Sequence, residues 1–432
     1  MVTTTHITPL QIQARDRFVL SGLIWLEKLT FFLILLFFSG TIIGLFLTNL
    51  DNLDQQNPIA RLAFFPVYGL IALLMLMRFP NFLRVLAFNP LILICLLWCG
   101  LSFLWSYDPQ ITFRRSIALL MTTILGLLIA ARFNWRDMIT IYAYLFLALA
   151  IISVLVVLIN PARGIMSEIH VGAWRGLWVE KNYLGGQMSR GLALMMCAFA
   201  LTPSRGWLWI PSGFLCFFLV LMSTSKTALL VCLLCIATFI LLRIFRKAPI
   251  LRLPVLYCVI AGVSIFTIIM VVAPDFFFDL IGKERTLTGR TDIWKLLIKS
   301  IQQKPILGYG YGVYWADPLG PSYYVRSILQ WGVPTAHNGW IETWLSTGGV
   351  GVFLFAIHLL VVIILALLKI FRGGIETYWV ILAILSFVVF SVSESSILQQ
   401  NDITWVLYVS TTAKMFSGER PYWRLRKDGT RR

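Results

Sequence analysis

The residues with the most chemical reach lie in three short clusters. The first is Ala336-His337-Asn338-Gly339-Trp340-Ile341-Glu342, followed by Gly348-Gly349-Val350-Gly351. Imidazole exchanges a proton near neutral pH, which makes His337 a candidate general base. Pro334 and Thr335 read as a helix start with Thr335 as N-cap, and His337, Ile341, Trp344 and Gly348 then recur on one helical stripe. In that first turn the positive helix end disfavours the imidazolium and leaves the ring available as a base. Gly348 and Gly351 below it would let another helix approach closely. Glu342 lies about 140° round the helix from His337, so it is expected to face an acceptor hydroxyl or water, with Asn338 as a further substrate contact.

The second cluster, Thr288-Gly289-Arg290-Thr291-Asp292-Ile293-Trp294, leads into a helix whose Trp294, Leu297, Ile298 and Ile301 form an apolar face and which stops at Lys304-Pro305. Arg290 falls at its N-terminus, where a fixed cation is out of place unless an anion is near. The third cluster is Trp174-Arg175-Gly176-Leu177-Trp178-Val179-Glu180-Lys181-Asn182, with Arg190 and Lys226 further on. Cations in or beside a membrane helix are costly and mark binding sites. Together Arg175, Lys181, Arg190, Lys226 and Arg290 suit a multiply charged anion such as a lipid pyrophosphate. The bland alternatives are a structural histidine, a solvated loop arginine and a snorkelling Lys226. Gly308-Tyr309-Gly310-Tyr311-Gly312 lacks the strand and the lysine of a phosphate loop and reads as a flexible aromatic turn able to stack on sugar. No metal or other cofactor is expected: there is no Asp-rich run, and Cys232 and Cys235 make a CxxC without a second pair or nearby histidines.

The elements that must position these groups are membrane helices. With 59% hydrophobic and 13% charged residues, and apolar runs near the ~20 residues that cross a bilayer, the chain reads as an all-α polytopic membrane protein. Residues 10–28 read as an interfacial helix, and no cleaved signal peptide is apparent. Twelve spans are expected, at 29–48, 61–77, 90–106, 115–131, 138–159, 184–201, 207–222, 226–242, 253–273, 349–368, 377–392 and 402–416. They make one membrane domain over 1–432, with long external segments at 160–183 and 274–348. With both termini in the cytoplasm, 21 basic residues lie inside against 8 outside once the long loop is left out. The net charge of +17 is thus assigned to anionic membrane lipid and not to nucleic acid.

In order and spacing the motifs resemble the O-antigen ligase and polymerase superfamily of Wzy and WaaL type, above all exopolysaccharide polymerases of the ExoQ kind. The carriers are Trp174-Arg175-Gly176 with Lys181-Asn182 and Leu184-Gly185, Ser223-Thr224-Ser225-Lys226-Thr227, Gly289-Arg290 with Trp294, Pro305-Ile306-Leu307-Gly308-Tyr309-Gly310, and His337-Asn338 followed after nine residues by Gly348-x-x-Gly351. The resemblance implies a metal-independent GT-C type glycosyltransferase of the bacterial inner membrane. It would act at the periplasmic face on an undecaprenyl-pyrophosphate-linked glycan and a glycan or lipid-linked acceptor. By the same implication His337 would activate the acceptor hydroxyl, while Arg290 and Arg175 would hold the leaving pyrophosphate. Glu180 departs from the pattern, standing where ExoQ-like members carry a second histidine.

The expected function is polymerisation of lipid-linked glycan, with ligation to lipid A core or another acceptor as the alternative. A flippase or transporter would instead gather its ionisable residues near the midplane. In a cysteine-free background, cysteines placed at positions 300 and 320 should label from outside and one at 425 only after permeabilisation. The reverse pattern would put the long loop in the cytoplasm.

Overall fold

The computed structural model describes residues 9–42, 44, 45, 59, 62–167, 170–247, 250, 290–330 and 332–418. Apart from one bridge between Ile165 and Trp174, these residues are helical or in turns. The early helices are α1 (Pro9–Phe38), α2 (Phe64–Met77), α3 (Phe79–Ala87), α4 (Pro90–Leu101), α5 (Pro109–Arg132) and α6 (Trp135–Ile159). A central group holds α7 (Lys181–Leu201), α8 (Gly206–Met222) and α9 (Lys226–Lys247). After the segment 251–289 come α10 (Arg290–Gln303), α11 (Tyr323–Leu329), α12 (Gly339–Arg372), α13 (Glu376–Ser393) and α14 (Ile403–Ser417).

The all-helical, multi-pass class stands, but the expected twelve spans do not. Seven helices among the described residues are long and apolar enough to cross a membrane, or up to eight if the bent pair α2–α3 counts as one span. That pair turns by 91° at Arg78, where Pro80 in the first turn of α3 cannot donate a backbone hydrogen bond. The expected span at 90–106 is α4 with a short 3-10 turn at Ser102–Leu104. The one at 402–416 is α14, of 15 residues, so each reaches only about 22 Å against a core of ~30 Å. α14 is instead a buried interior helix, and its Lys414 Nζ donates to the Ala130 carbonyl at 3.3 Å. The interfacial segment and the first span merge into the single 30-residue α1. The expected span at 253–273 lies outside the described residues. Hydropathy windows register apolar length, and a short or bent helix buried by its neighbours has the same signature as a span.

Helix α7 packs against α6, α8, α9 and α13, and α14 lies against α5. The α5–α14 approach is close because Gly126 has no side chain: a Cβ there would stand 2.7 Å from Val409 Cγ1. Trp405 Nε1 donates to Thr123 Oγ1 at 2.9 Å and Trp379 Nε1 to Thr411 Oγ1 at 3.0 Å, so the buried indoles are satisfied. Lys28 pairs with Asp137 at 3.0 Å, and Glu27 takes both Arg78 and Arg132 at 2.9 and 2.7 Å.

Helix α12 is interrupted at Gly348, with φ 68° and ψ −175°. What enters the break is not another helix, as expected, but the backbone of Pro305–Gly310. Gly349 N donates to the Pro305 carbonyl at 2.8 Å, while Tyr309 N and Gly310 N donate to Leu345 and Ser346 carbonyls at 2.8 and 3.1 Å. The carbonyl groups that a broken helix leaves unpaired are thereby used. A Cβ on Gly348 would fall 2.0 Å from the Ile306 oxygen. Gly348→Ala should therefore cost more than about 3 kcal/mol or prevent folding, since that backbone region is essentially restricted to glycine. Gly69→Ala, where a Cβ meets nothing within 4 Å, should leave the melting temperature unchanged or slightly raised. Equal melting of the two variants would contradict the role given to the break.

Candidate active site

The expected helix start shifts by three residues. Asn338, not Thr335, caps α12, its Oδ1 accepting from Trp340 N at 2.9 Å and Ile341 N at 3.2 Å. Asn is among the best N-caps because its short acceptor reaches the second and third amides. Thr335 Oγ1 instead accepts from His337 N at 3.4 Å. His337 thus precedes the helix in a left-handed conformation, φ 47°, and leaves the stripe of Ile341, Trp344 and Gly348. Such conformations cost free energy and recur where a side chain must be aimed.

His337 is aimed at Glu394, the residue that ends α13. Its Nδ1 stands 3.6 Å from Glu394 Oε2. The other carboxylate oxygen accepts from Arg290 Nη2 at 3.1 Å, and Arg290 Nη1 donates to the Ser393 carbonyl. Three chain ends, at α10, α12 and α13, therefore meet on one carboxylate. The expected helix led by Arg290 and ended at Lys304 is present, and the anion its N-terminal cation calls for is Glu394. At 3.6 Å this is an electrostatic contact and not a hydrogen bond, and Nδ1 is buried without a hydrogen-bond partner.

His337 and Glu394 line a cavity of about 400 Å³ with Trp178, Glu180, Tyr183 and Arg190. Arg190 enters from α7, its guanidinium 4.5 Å from the Phe390 ring centroid. Asp402 also lines it, but its oxygens are engaged: one caps α14 through Thr404 N and Trp405 N, and the other accepts from the Tyr183 hydroxyl. Glu180 stands at the cavity mouth, reached by water yet hemmed in by protein. That desolvation raises its carboxyl above the ordinary carboxylate range; His337 pulls it down, the Glu394 charge pushes it up and Arg290 pulls it down again.

A second cavity, of about 410 Å³, adjoins the first and shares Pro334, Thr335 and Gln399 with it. Glu342 belongs to this one. Its carboxylate accepts from Trp315 Nε1 at 3.0 and 3.1 Å, Ala336 N at 2.9 Å and Ser395 Oγ at 3.4 Å. The glycine-tyrosine turn lies beneath, and it is pinned and not free: Tyr309 and Tyr311 are buried, with hydroxyls on the Ser300 and Leu398 carbonyls at 2.9 and 2.6 Å.

Of the other expected site residues, Arg175 donates to the Arg163 and Ala162 carbonyls at 2.7 and 3.0 Å, tying the turn after α6 to the chain before α7. Lys181 donates to Thr224 Oγ1 at 3.1 Å, and Lys226 is exposed at the start of α9. None of the three lines either cavity. Sequence reasoning missed Glu394 and the segment to Asp402. The available signal was a polar run, Glu394-Ser395-Ser396 to Gln399-Gln400-Asn401-Asp402, between two apolar helices.

Residues 211–356, from α8 into α12, match the O-antigen ligase family. That stretch is similar to an O-antigen ligase domain and includes Arg290, His337 and Glu342, while Arg190 and Glu394 lie on helices flanking it. The chain is also similar to the exopolysaccharide production protein ExoQ of Rhizobium meliloti (strain 1021), at 25% identity over 300 residues, which is 65% of this chain and 64% of that protein. The resemblance read from the sequence is borne out at this level.

Glu394→Gln should lower the stability of the purified protein by about 1–3 kcal/mol, because the half-buried Arg290 loses its charged partner. Adding Arg290→Met should recover part of the loss in thermal unfolding. Strictly additive losses would show that the pair is not coupled.

Proposed function

We propose that the chain is a membrane glycosyltransferase that moves a glycan from a polyprenyl pyrophosphate, of the undecaprenyl kind, onto the hydroxyl of an acceptor. The observation that carries this reading is His337, aimed into a cavity and backed by a carboxylate that a guanidinium holds in turn. A sugar hydroxyl is a weak nucleophile at neutral pH and needs a base within reach. His337 Nε2 takes the proton, and Glu394 fixes the ring and stabilises the imidazolium, as the carboxylate does in a Ser-His-Asp triad.

The cavity's acids do not bar an anionic donor. Glu394 is matched by Arg290, Asp402 is engaged by Tyr183 and the α14 amides, and Glu180 is exposed to solvent, which screens its charge. Arg190, which lines the cavity, is then the cation available to the pyrophosphate as it leaves, and Arg290, which lines neither cavity, reaches it only by giving up Glu394. Side-chain cations supply this charge without a metal. Lys181 and Lys226 attract the donor from the surface, and Arg175 shapes the loop before α7. We place the two cavities at the external, periplasmic face of the bacterial inner membrane with both termini inside, on the strength of the resemblance to the O-antigen ligases, because the count of basic residues on each side assumed twelve spans and does not carry over to seven or eight.

The similarity to an exopolysaccharide production protein favours extension of an exopolysaccharide, while that to O-antigen ligases favours ligation to a different acceptor. A deletion strain separates the two: single repeats left on the lipid mean polymerase, and long chains stranded on it mean ligase.

With lipid-linked donor and acceptor in membranes, His337→Ala should lower turnover roughly 10²- to 10⁴-fold while the donor still binds. Arg290→Ala should weaken donor binding and cut turnover by about 10²- to 10³-fold, with partial recovery in Arg290→Lys, which keeps the charge but loses the two-pronged fit. Wild-type transfer by His337→Ala would make the histidine structural.

A further inference from the structure

The transfer reading needs two substrates, yet the cavity beside His337 accounts for only one. We propose that the second cavity seats the sugar end of the acceptor glycan, so that donor and acceptor approach from opposite sides of the Pro334-Thr335 wall. The inference rests on the transfer reading and adds to it which part of the molecule chooses the acceptor.

Size, lining and adjacency support it. At about 410 Å³ the cavity falls within the roughly 300–1,000 Å³ of small-molecule sites. Its lining is mixed in the way a pyranose requires: the indole of Trp315 and the ring of Tyr311 offer apolar faces to C–H groups, while Gln400 and Ser346 offer hydrogen bonds to ring hydroxyls. An acyl or prenyl chain would leave those polar groups without partners. Trp315 is held in place, since its Nε1–H is bonded to Glu342 and its carbonyl accepts from Arg326 Nη2 at 3.2 Å. Pinned side chains of this kind recognise a ligand with little loss of conformational freedom.

The shared wall sets the two cavities against each other. Pro334, Thr335 and Gln399 border both cavities, and His337 lies two residues beyond Thr335 on the donor side. A hydroxyl of the seated sugar passes Thr335 and attacks the donor's anomeric carbon. The new bond joins that carbon to the acceptor oxygen. The bond to the pyrophosphate oxygen breaks with its electron pair, polyprenyl pyrophosphate leaves, and the hydroxyl proton goes to His337 Nε2.

The test uses the full-length protein in detergent and, as probe, the oligosaccharide released by mild acid from the polyprenyl-linked glycan of cells that make it. Saturation-transfer NMR should show the sugar bound to the wild-type chain and to His337→Ala. Ser346→Trp, which fills the second cavity, should abolish the signal, and Gln400→Ala should weaken binding about tenfold and raise the acceptor KM by a similar factor without changing the donor KM. If Ser346→Trp does not fold, Gln400→Ala decides. Wild-type affinity and acceptor KM in the folded variants would overturn the assignment, as would absence of any signal from the wild-type chain. Either result is distinct from failure of the transfer reading, which would appear as full transfer by His337→Ala.

Discussion

The site depends on the carboxylate of Glu394. On its own helix this group is badly placed, because a negative charge at the C-terminal end of α13 adds to the negative end of the helix macrodipole. Arg290 is equally badly placed at the N-terminus of α10. Each is well placed on the other's helix: the guanidinium meets both Glu394 and the terminal Ser393 carbonyl, 3.1 Å away in the case of the carboxylate. Two helix ends that would repel their own side chains are thus drawn together, and His337 is set against the remaining carboxylate oxygen. The pairing joins residues 104 positions apart, so His337 meets its carboxylate only once the fold is complete.

The break in α12 answers a second requirement. A side chain at the head of a long helix is only as well placed as the helix itself, and α12 runs for 34 residues. Insertion of the Pro305–Gly310 backbone at Gly348 ties the upper part of α12 to the segment that follows α10. Glu342 then joins the same upper part to Trp315, to Ala336 and to Ser395. The two cavities are therefore framed by the same few segments, with Thr335 and Gln399 between them. Catalytic groups held within fractions of an ångström need that kind of support.

Much of this was legible in the chain. The all-helical class, the ligase resemblance and the helix from Arg290 to Lys304 follow from residue types and local spacing, and His337 and Arg190, singled out on the same grounds, line one cavity. The number of spans was not legible, because the buried α14 and the bent α2–α3 pair have the hydropathy of membrane crossings. The cap was misassigned because Thr335 and Asn338 are both competent N-caps, and tertiary bonds from Glu342 and Trp294 to Ala336 favour the later one. Glu394 was missed because its importance lies in partners distant along the chain, and nothing in its immediate sequence marks it beyond a polar run between two apolar helices.

The central claim is that Glu394 acts through His337, and a double-mutant cycle on transfer rate tests it most directly. Measured with the same lipid-linked donor, Glu394→Gln should lower kcat/KM by about ten- to a hundredfold in the wild-type background and by almost nothing in the His337→Ala background, since residues that work as one unit give strongly non-additive losses. Equal losses in both backgrounds would show that the two residues act independently and would contradict the account.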